Sequence, residues 1–282
     1  MQRIKNSWEL AKVSWSVLRS DKSLAVFPLL SAVVGLIVVG IFAGLVALTG
    51  VNGTHGDSLQ GIAYVIIAVG YVATAFVATY FLGALVYGAN EALEGRSPEL
   101  GDCFAAANAK LHRILPWALV QATVSIILQV LESVRGVGPI LRALLGAGWA
   151  ILTFLTLPII MLEDLGPVAA LQRSGSLLKS SWGENLGAQF GFGFLTVIAA
   201  LPSLVLFAIG GASGNLAAIV VTVAIGAAWF AVVLLVVSAL TGIYRTALYR
   251  FAVDGVAPPA FAGSDLQHAL GPRQPRPSGF GF

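Results

Sequence analysis

The apolar stretch "ILPWALVQATVSIILQVLE" contains Gln121, Ser125, Gln129 and Glu132. Their offsets of +4, +8 and +11 place all four on one face of a helix. Amides and hydroxyls on such a face have two uses. They line a path for a polar solute or ion, or they hydrogen-bond to neighbouring helices for about 0.6–2 kcal/mol per contact. Interhelical bonding is the favoured expectation, and Glu132, at the end of the stretch, is expected to be interfacial.

A second set is acidic. Glu94, Glu163 and Asp254 each follow an aliphatic residue and precede a proline by four positions, in "ALEGRSP" (92–98), "MLEDLGP" (161–167) and "AVDGVAP" (252–258). The glycines and prolines of these copies have a local cause. Gly95 and Gly255 suit the left-handed position just past a helix, and Ser97, Pro98 and Glu99 suit the N-cap, first position and first turn of the next one. In the second copy Gly166 and Pro167 supply the start, and the glycine stop is missing. The acids have no such cause, since a carboxylate at a helix C-terminus faces the negative end of the dipole at about 0.3–1 kcal/mol. We expect each acid to pair with an Arg or Lys of a neighbouring surface helix; the alternative is a solvated interfacial acid contributing nothing.

Other reactive residues are sparse. The single cysteine, Cys103, excludes an intramolecular disulfide and has only His112 as a prospective base. His55, His112 and His268 lack partners at metal-ligand spacing, no glycine-rich phosphate loop ends in Lys-Ser or Lys-Thr, and no Gly-x-Ser-x-Gly elbow occurs. No catalytic, cofactor-binding or metal residue is assigned, and no enzyme is expected.

The elements that position these residues belong to a membrane. The chain of 282 residues is 57% hydrophobic and only 10% charged, with mean hydropathy +0.89, against about 25% charged in soluble domains. Residues 23–56, 58–90, 114–131, 143–162 and 185–244 carry no Asp, Glu, Lys or Arg. A spanning helix needs about 20 apolar residues, and "GGASGN" at 210–215 divides the last run. The predicted class is all-α integral membrane with six spans, about 24–49, 59–90, 114–132, 142–162, 186–209 and 216–247. The runs do not alternate in polarity, which excludes a barrel. The amphipathic charged stretch before the first run is too long for a signal-peptide n-region, so no removable signal is expected.

All but two of the 16 Lys and Arg residues, Arg135 and Arg142, fall on the flank holding both termini and the loops near 91–113 and 163–184. That flank is expected to be cytoplasmic, with anionic lipid headgroups as partners and no role for nucleic acid. Charges at mid-membrane depth are missing, which disfavours an ion pump. Ile4, Trp8, Ala11, Trp15 and Leu18 form an apolar stripe opposite Lys5, Lys12 and Arg19, so 2–20 is predicted to be an amphipathic surface helix. Similar helices are predicted over 98–113 and 167–182. The repeating unit is a surface helix, an outgoing span, a hairpin, a returning span and the acidic signature, three times over. Residues 1–255 form a single membrane domain, and the Pro-, Gly- and Arg-rich 256–282 a flexible tail. Gly40 with Gly44, and Gly183, Gly187 and Gly191, are candidate close-packing faces; Pro158 and Pro202 are candidate kinks.

The stretches "SWELAKVSWSVLRSDKSLAVFPLL" and "LTLPIIMLEDLGPVAALQRSGSLLKSSWGENL" resemble a prokaryotic membrane family, domain of unknown function 6159. The resemblance covers residues 1 to about 255. It rests on Ser7-Trp8, Asp21-Lys22, Phe27-Pro28, Pro158, Glu163, Gly166-Pro167, Arg173-Ser174 and Trp182-Gly183. It implies a multi-span inner-membrane protein of bacteria or archaea and carries over no catalytic or binding residue. The expected function is a non-enzymatic scaffold or accessory protein contacting lipid or a membrane protein partner. The alternative is a transporter or channel for a small or amphiphilic solute.

Overall fold

A computed structural model describes residues 2–49, 57–134, 137–181, 190–256 and 258–261. His55, Arg135, Trp182, Gly183, Gly187, His268 and the predicted tail beyond 261 lie outside the described residues. The described chain forms α1 (Gln2–Ser20), α2 (Val26–Leu48), α3 (Asp57–Leu93), α4 (Leu100–Ala109), α5 (Leu111–Glu132), α6 (Gly138–Leu152), α7 (Thr156–Glu163), α8 (Pro167–Ser181), α9 (Phe190–Ala212) and α10 (Leu216–Asp254). No strand occurs among the described residues.

Five stretches are long and apolar enough to cross a membrane: Lys22–Leu48, Gly61–Leu93, Leu111–Glu132, Gly138–Glu163 and Leu216–Asp254. The remaining predicted span corresponds to α9, also apolar, whose described side chains cover the shorter Thr196–Ala212. Leu36, Ile37, Ile140 and Leu144 are exposed, as side chains against lipid tails are. The turn before α10 follows the sequence: Gly214 takes φ 62°, and the Asn215 carboxamide accepts the Ala217 N–H at 2.9 Å as an N-cap.

Two boundaries differ from expectation. The predicted span 142–162 is two helices, α6 and α7, with a turn at 153–155. Pro158 has no N–H to give the carbonyl four residues back, so the chain breaks there rather than bending. The surface helix predicted for 98–113 starts two residues late. Ser97 and Pro98 lie outside the helix, the N-cap is Glu99 (φ −81°, ψ 136°) without a side-chain cap bond, and α4 ends at Ala109. Proline disfavours helical backbone at the residue before it, and Pro98 is buried in the packing against Gly88.

The three signatures share a backbone feature that the sequence shows only twice. Gly95 (φ 80°), Asp164 (φ 55°) and Gly255 (φ 73°) each follow the acid and each sit left-handed. Aspartate is among the few L-residues that tolerate this conformation, so Asp164 is the stop missing from the second copy.

The core is gathered at the end of the bundle that carries the signatures. Leu24 and Phe27, Leu85 to Leu93 of α3, Ile114 and Trp117 of α5, Leu155 to Met161, and Leu240 to Tyr249 of α10 pack together there. α1 lies against α9 and α10, burying Ala11, Ser14, Val17 and Leu18 and leaving Trp15 exposed. The expected close-packing role of Gly40 and Gly44 is corrected: a Cβ at either meets nothing within 4 Å. Close approach occurs elsewhere, at Gly242, where a Cβ would lie 2.5 Å from Leu85 Cδ2.

Candidate functional site

Above this core the helices part and leave an open cavity of about 990 Å³. α2 supplies one wall, including Val39, Phe42 and Val46, and α3 the back, from Ile67 to Leu82. Trp117, Gln121, Ala122 and Ser125 of α5 face Trp149, Ala150 and Thr153 of α6 across the other side, and Leu157 of α7 and Arg245 of α10 close the core end. α2 packs on α3 and α10, α6 packs on α5 and α8, and α3 joins the two walls by packing on both α2 and α5.

The polar stripe of α5 is divided by this arrangement. Gln121 lines the cavity, and its Oε1 accepts the Trp149 indole N–H at 2.8 Å. The Trp117 and Trp149 rings stack with centroids 6.2 Å apart, which fixes the α5–α6 wall. Ser125 lines the cavity and makes no hydrogen bond to a described residue. Gln129 lies outside the lining and donates to the Tyr71 hydroxyl at 3.0 Å. Glu132 is exposed at the far end of α5, paired with Arg142 of α6. Three of the four therefore tie α5 to α6 or α3, and two of the four reach the cavity.

The residue that sequence reasoning missed is Arg245. Counted with the basic flank, it instead lines the cavity from within α10. α10 continues nine residues past it to Asp254, and Tyr249 and Arg250 on that last part meet Glu163 and Glu94. The Arg245 guanidinium sits 4.7 Å from the centroid of the Phe154 ring. Its Nε is buried and has no hydrogen-bond partner, and no carboxylate pairs with it among the described residues. The residue is half-buried and borders the cavity. The available signal was a charge two residues inside the predicted end of the last span.

The acids behave differently from one another. Glu163 pairs with Arg173 of the surface helix α8 at 3.3 Å and accepts the Tyr249 hydroxyl at 3.0 Å. Glu94 pairs with Arg96 of its own loop and with Arg250 of α10, and Asp254 approaches Arg250 at 3.6 Å. Among the described residues only Glu163 meets a surface-helix cation; Glu94 and Asp254 converge on Arg250 of α10, which differs from the expected partner. Asp164 bridges Lys110 at 2.7 Å and Arg113 at 3.8 Å. The hydrogen bond from the Lys110 ammonium holds its carboxyl below the usual carboxylate range. Cys103 is buried against Gly88 while His112 is exposed; burial pushes its thiol up to about 11, far from a nucleophile's range. No group of three His, Cys, Asp or Glu residues able to hold a metal occurs among the described residues.

No curated protein matches the chain. One family model does, over residues 61–258, and its description is a family of unknown function, DUF6159. The matched region contains α5, α6, α7, Arg245 and all three acids, while α1 and α2 lie before it.

Proposed function

The chain belongs to the DUF6159 family, and because that membership assigns no activity, we propose from the chain's own geometry that it is a non-enzymatic accessory protein holding a lipid-like amphiphile within the membrane. In this reading it is a six-span protein of a prokaryotic plasma membrane, with both termini cytoplasmic. It is built from three surface-helix and hairpin units, and anionic headgroups meet its basic flank. The three left-handed stops after Glu94, Glu163 and Asp254 support the units, and the one-sided Lys and Arg distribution supports the orientation.

The cavity carries the proposal. Its volume of about 990 Å³ is at the upper end of the ~300–1,000 Å³ typical of small-molecule sites. Its walls are largely apolar and bounded outside by lipid-facing residues such as Ile37 and Leu144. A ligand reaching it from the bilayer keeps its tail in hydrocarbon throughout. The test is solvent extraction of the purified protein followed by mass spectrometry, comparing wild type with Ala150→Trp. Ala150 is an exposed lining residue, so its enlargement fills the cavity without disturbing the core. A retained amphiphile in wild type, depleted in the variant, is the expected result; equal lipid content in both refutes the proposal.

A carrier role is the second reading, favoured by the break at 153–155 beside the cavity, a place where α6 can move against α7. Flux in proteoliposomes separates the two: transport requires solute movement that Gln121→Leu, in the lining, reduces, and holding requires none.

A further inference from the structure

We propose that Arg245 is an anion-recognition residue, and that the cavity takes an amphiphile with a carboxylate or phosphate headgroup at Arg245 and its tail toward Val46 and Ile67. The inference rests on the amphiphile reading above and specifies its ligand. Arginine cannot shed its charge, and a buried guanidinium is ordinarily matched by a carboxylate. Arg245 has none among the described residues, and its Nε is buried without a hydrogen-bond partner. The Phe154 ring beneath it, its centroid 4.7 Å from the guanidinium carbon, offsets part of the cost by cation–π attraction. Arg245 borders the cavity, and a guanidinium is the group that engages a carboxylate or phosphate in two bonds.

The remainder of the lining fits one end being polar and the other apolar. Thr153 and Gln121 are lining residues on the walls, while Val39, Val46 and Ile67 continue the cavity toward the opposite ends of α2 and α3. Arg245 lies nine residues before the end of α10, about 13 Å along a helix rising 1.5 Å per residue. That depth suits the junction between headgroup and hydrocarbon, where an amphiphile keeps its charge.

The test is binding to the full-length protein in detergent of a fluorescent long-chain carboxylate and its methyl ester, by wild type, Arg245→Gln and Arg245→Lys. Wild type is expected to prefer the carboxylate by roughly tenfold or more, the effect of a charge-assisted hydrogen bond. Arg245→Gln removes the preference while ester binding persists, and Arg245→Lys keeps part of it. Inorganic phosphate at matched ionic strength leaves the carboxylate bound. Equal binding of carboxylate and ester by wild type, or a preference that survives in Arg245→Gln, overturns the role of Arg245 and leaves the cavity proposal standing. Displacement by phosphate alone overturns the amphiphile in favour of a free anion. Binding of neither probe overturns both.

Discussion

Replacing Arg245 by methionine is expected to make the empty protein more stable, and the size of the effect follows from the surroundings of the guanidinium. Its Nε has no partner and no carboxylate balances the charge among the described residues. Exchanging buried ionic groups for apolar ones of similar volume typically gains about 1–4 kcal/mol. Methionine preserves the unbranched stem that packs in α10, so little packing is lost. What is lost is the attraction to the Phe154 ring, about 0.5–2 kcal/mol. The net gain is about 1–2 kcal/mol, or roughly 2–8 °C in Tm at ~2–4 °C per kcal/mol for a chain of this size. The assay is thermal unfolding in a neutral detergent after delipidation, with and without a long-chain carboxylate. Arg245→Met is expected to melt higher than wild type when both are empty, and the carboxylate to raise wild type more than the variant. A variant that melts lower when empty refutes the account, because Arg245 then contributes to the fold through partners other than a ligand. Such an exchange of stability for binding is common at functional sites.

Three further outcomes follow from the geometry. Glu163→Gln, which loses the charge facing Arg173 and weakens the acceptor of the Tyr249 hydroxyl, is expected to lower stability by about 1 kcal/mol. Glu94→Gln, which releases Arg250, is expected to act in the same direction; unchanged melting in both removes the pinning role of the acids. Gly242→Ala would place a Cβ 2.5 Å from Leu85 Cδ2 and is expected to cost about 1–3 kcal/mol, seen as reduced yield of folded protein in detergent. For Asp164, a folded-state carboxyl held below its unfolded value by Lys110 stabilises the fold above the ordinary carboxylate value near ~3.9 and loses that contribution as pH falls through the depressed folded value. Asp164→Asn, which keeps tolerance of the left-handed backbone, is therefore expected to remove part of the acid-induced fall in Tm below about pH 4; an identical acid limb in wild type and variant contradicts this.

Much of the scaffold is legible in the residues because hydrocarbon imposes one rule on all of them. Uncharged runs located the apolar stretches, five of them long enough to cross a membrane, and Gly95, Gly255 and Asn215 marked turns through backbone requirements that few residues satisfy. The failures have local causes. The uncharged run 143–162 hides a break, since hydropathy does not register the N–H that Pro158 lacks. Asp164 replaces glycine at a left-handed stop, a substitution invisible to a search for glycine. Gly40 and Gly44 have the spacing of a packing face, but the same spacing serves a surface turned to open space. Of the site, Gln121 and Ser125 were found from periodicity, because helix geometry alone puts them on one face. The aromatic walls and Arg245 were not found. Counting cations by flank assumes that the end of an uncharged run is the edge of the bundle, and α10 stays packed for nine residues beyond Arg245.

The most direct test of the account is an experimental structure of the protein purified from its native membrane into lipid nanodiscs. The account predicts elongated density in the cavity between α2 and α6, with its polar end within hydrogen-bond reach of the Arg245 guanidinium and its tail beside Val46 and Ile67. A cavity closed by α2 moving onto α6, or a protein carboxylate found paired with Arg245, contradicts it.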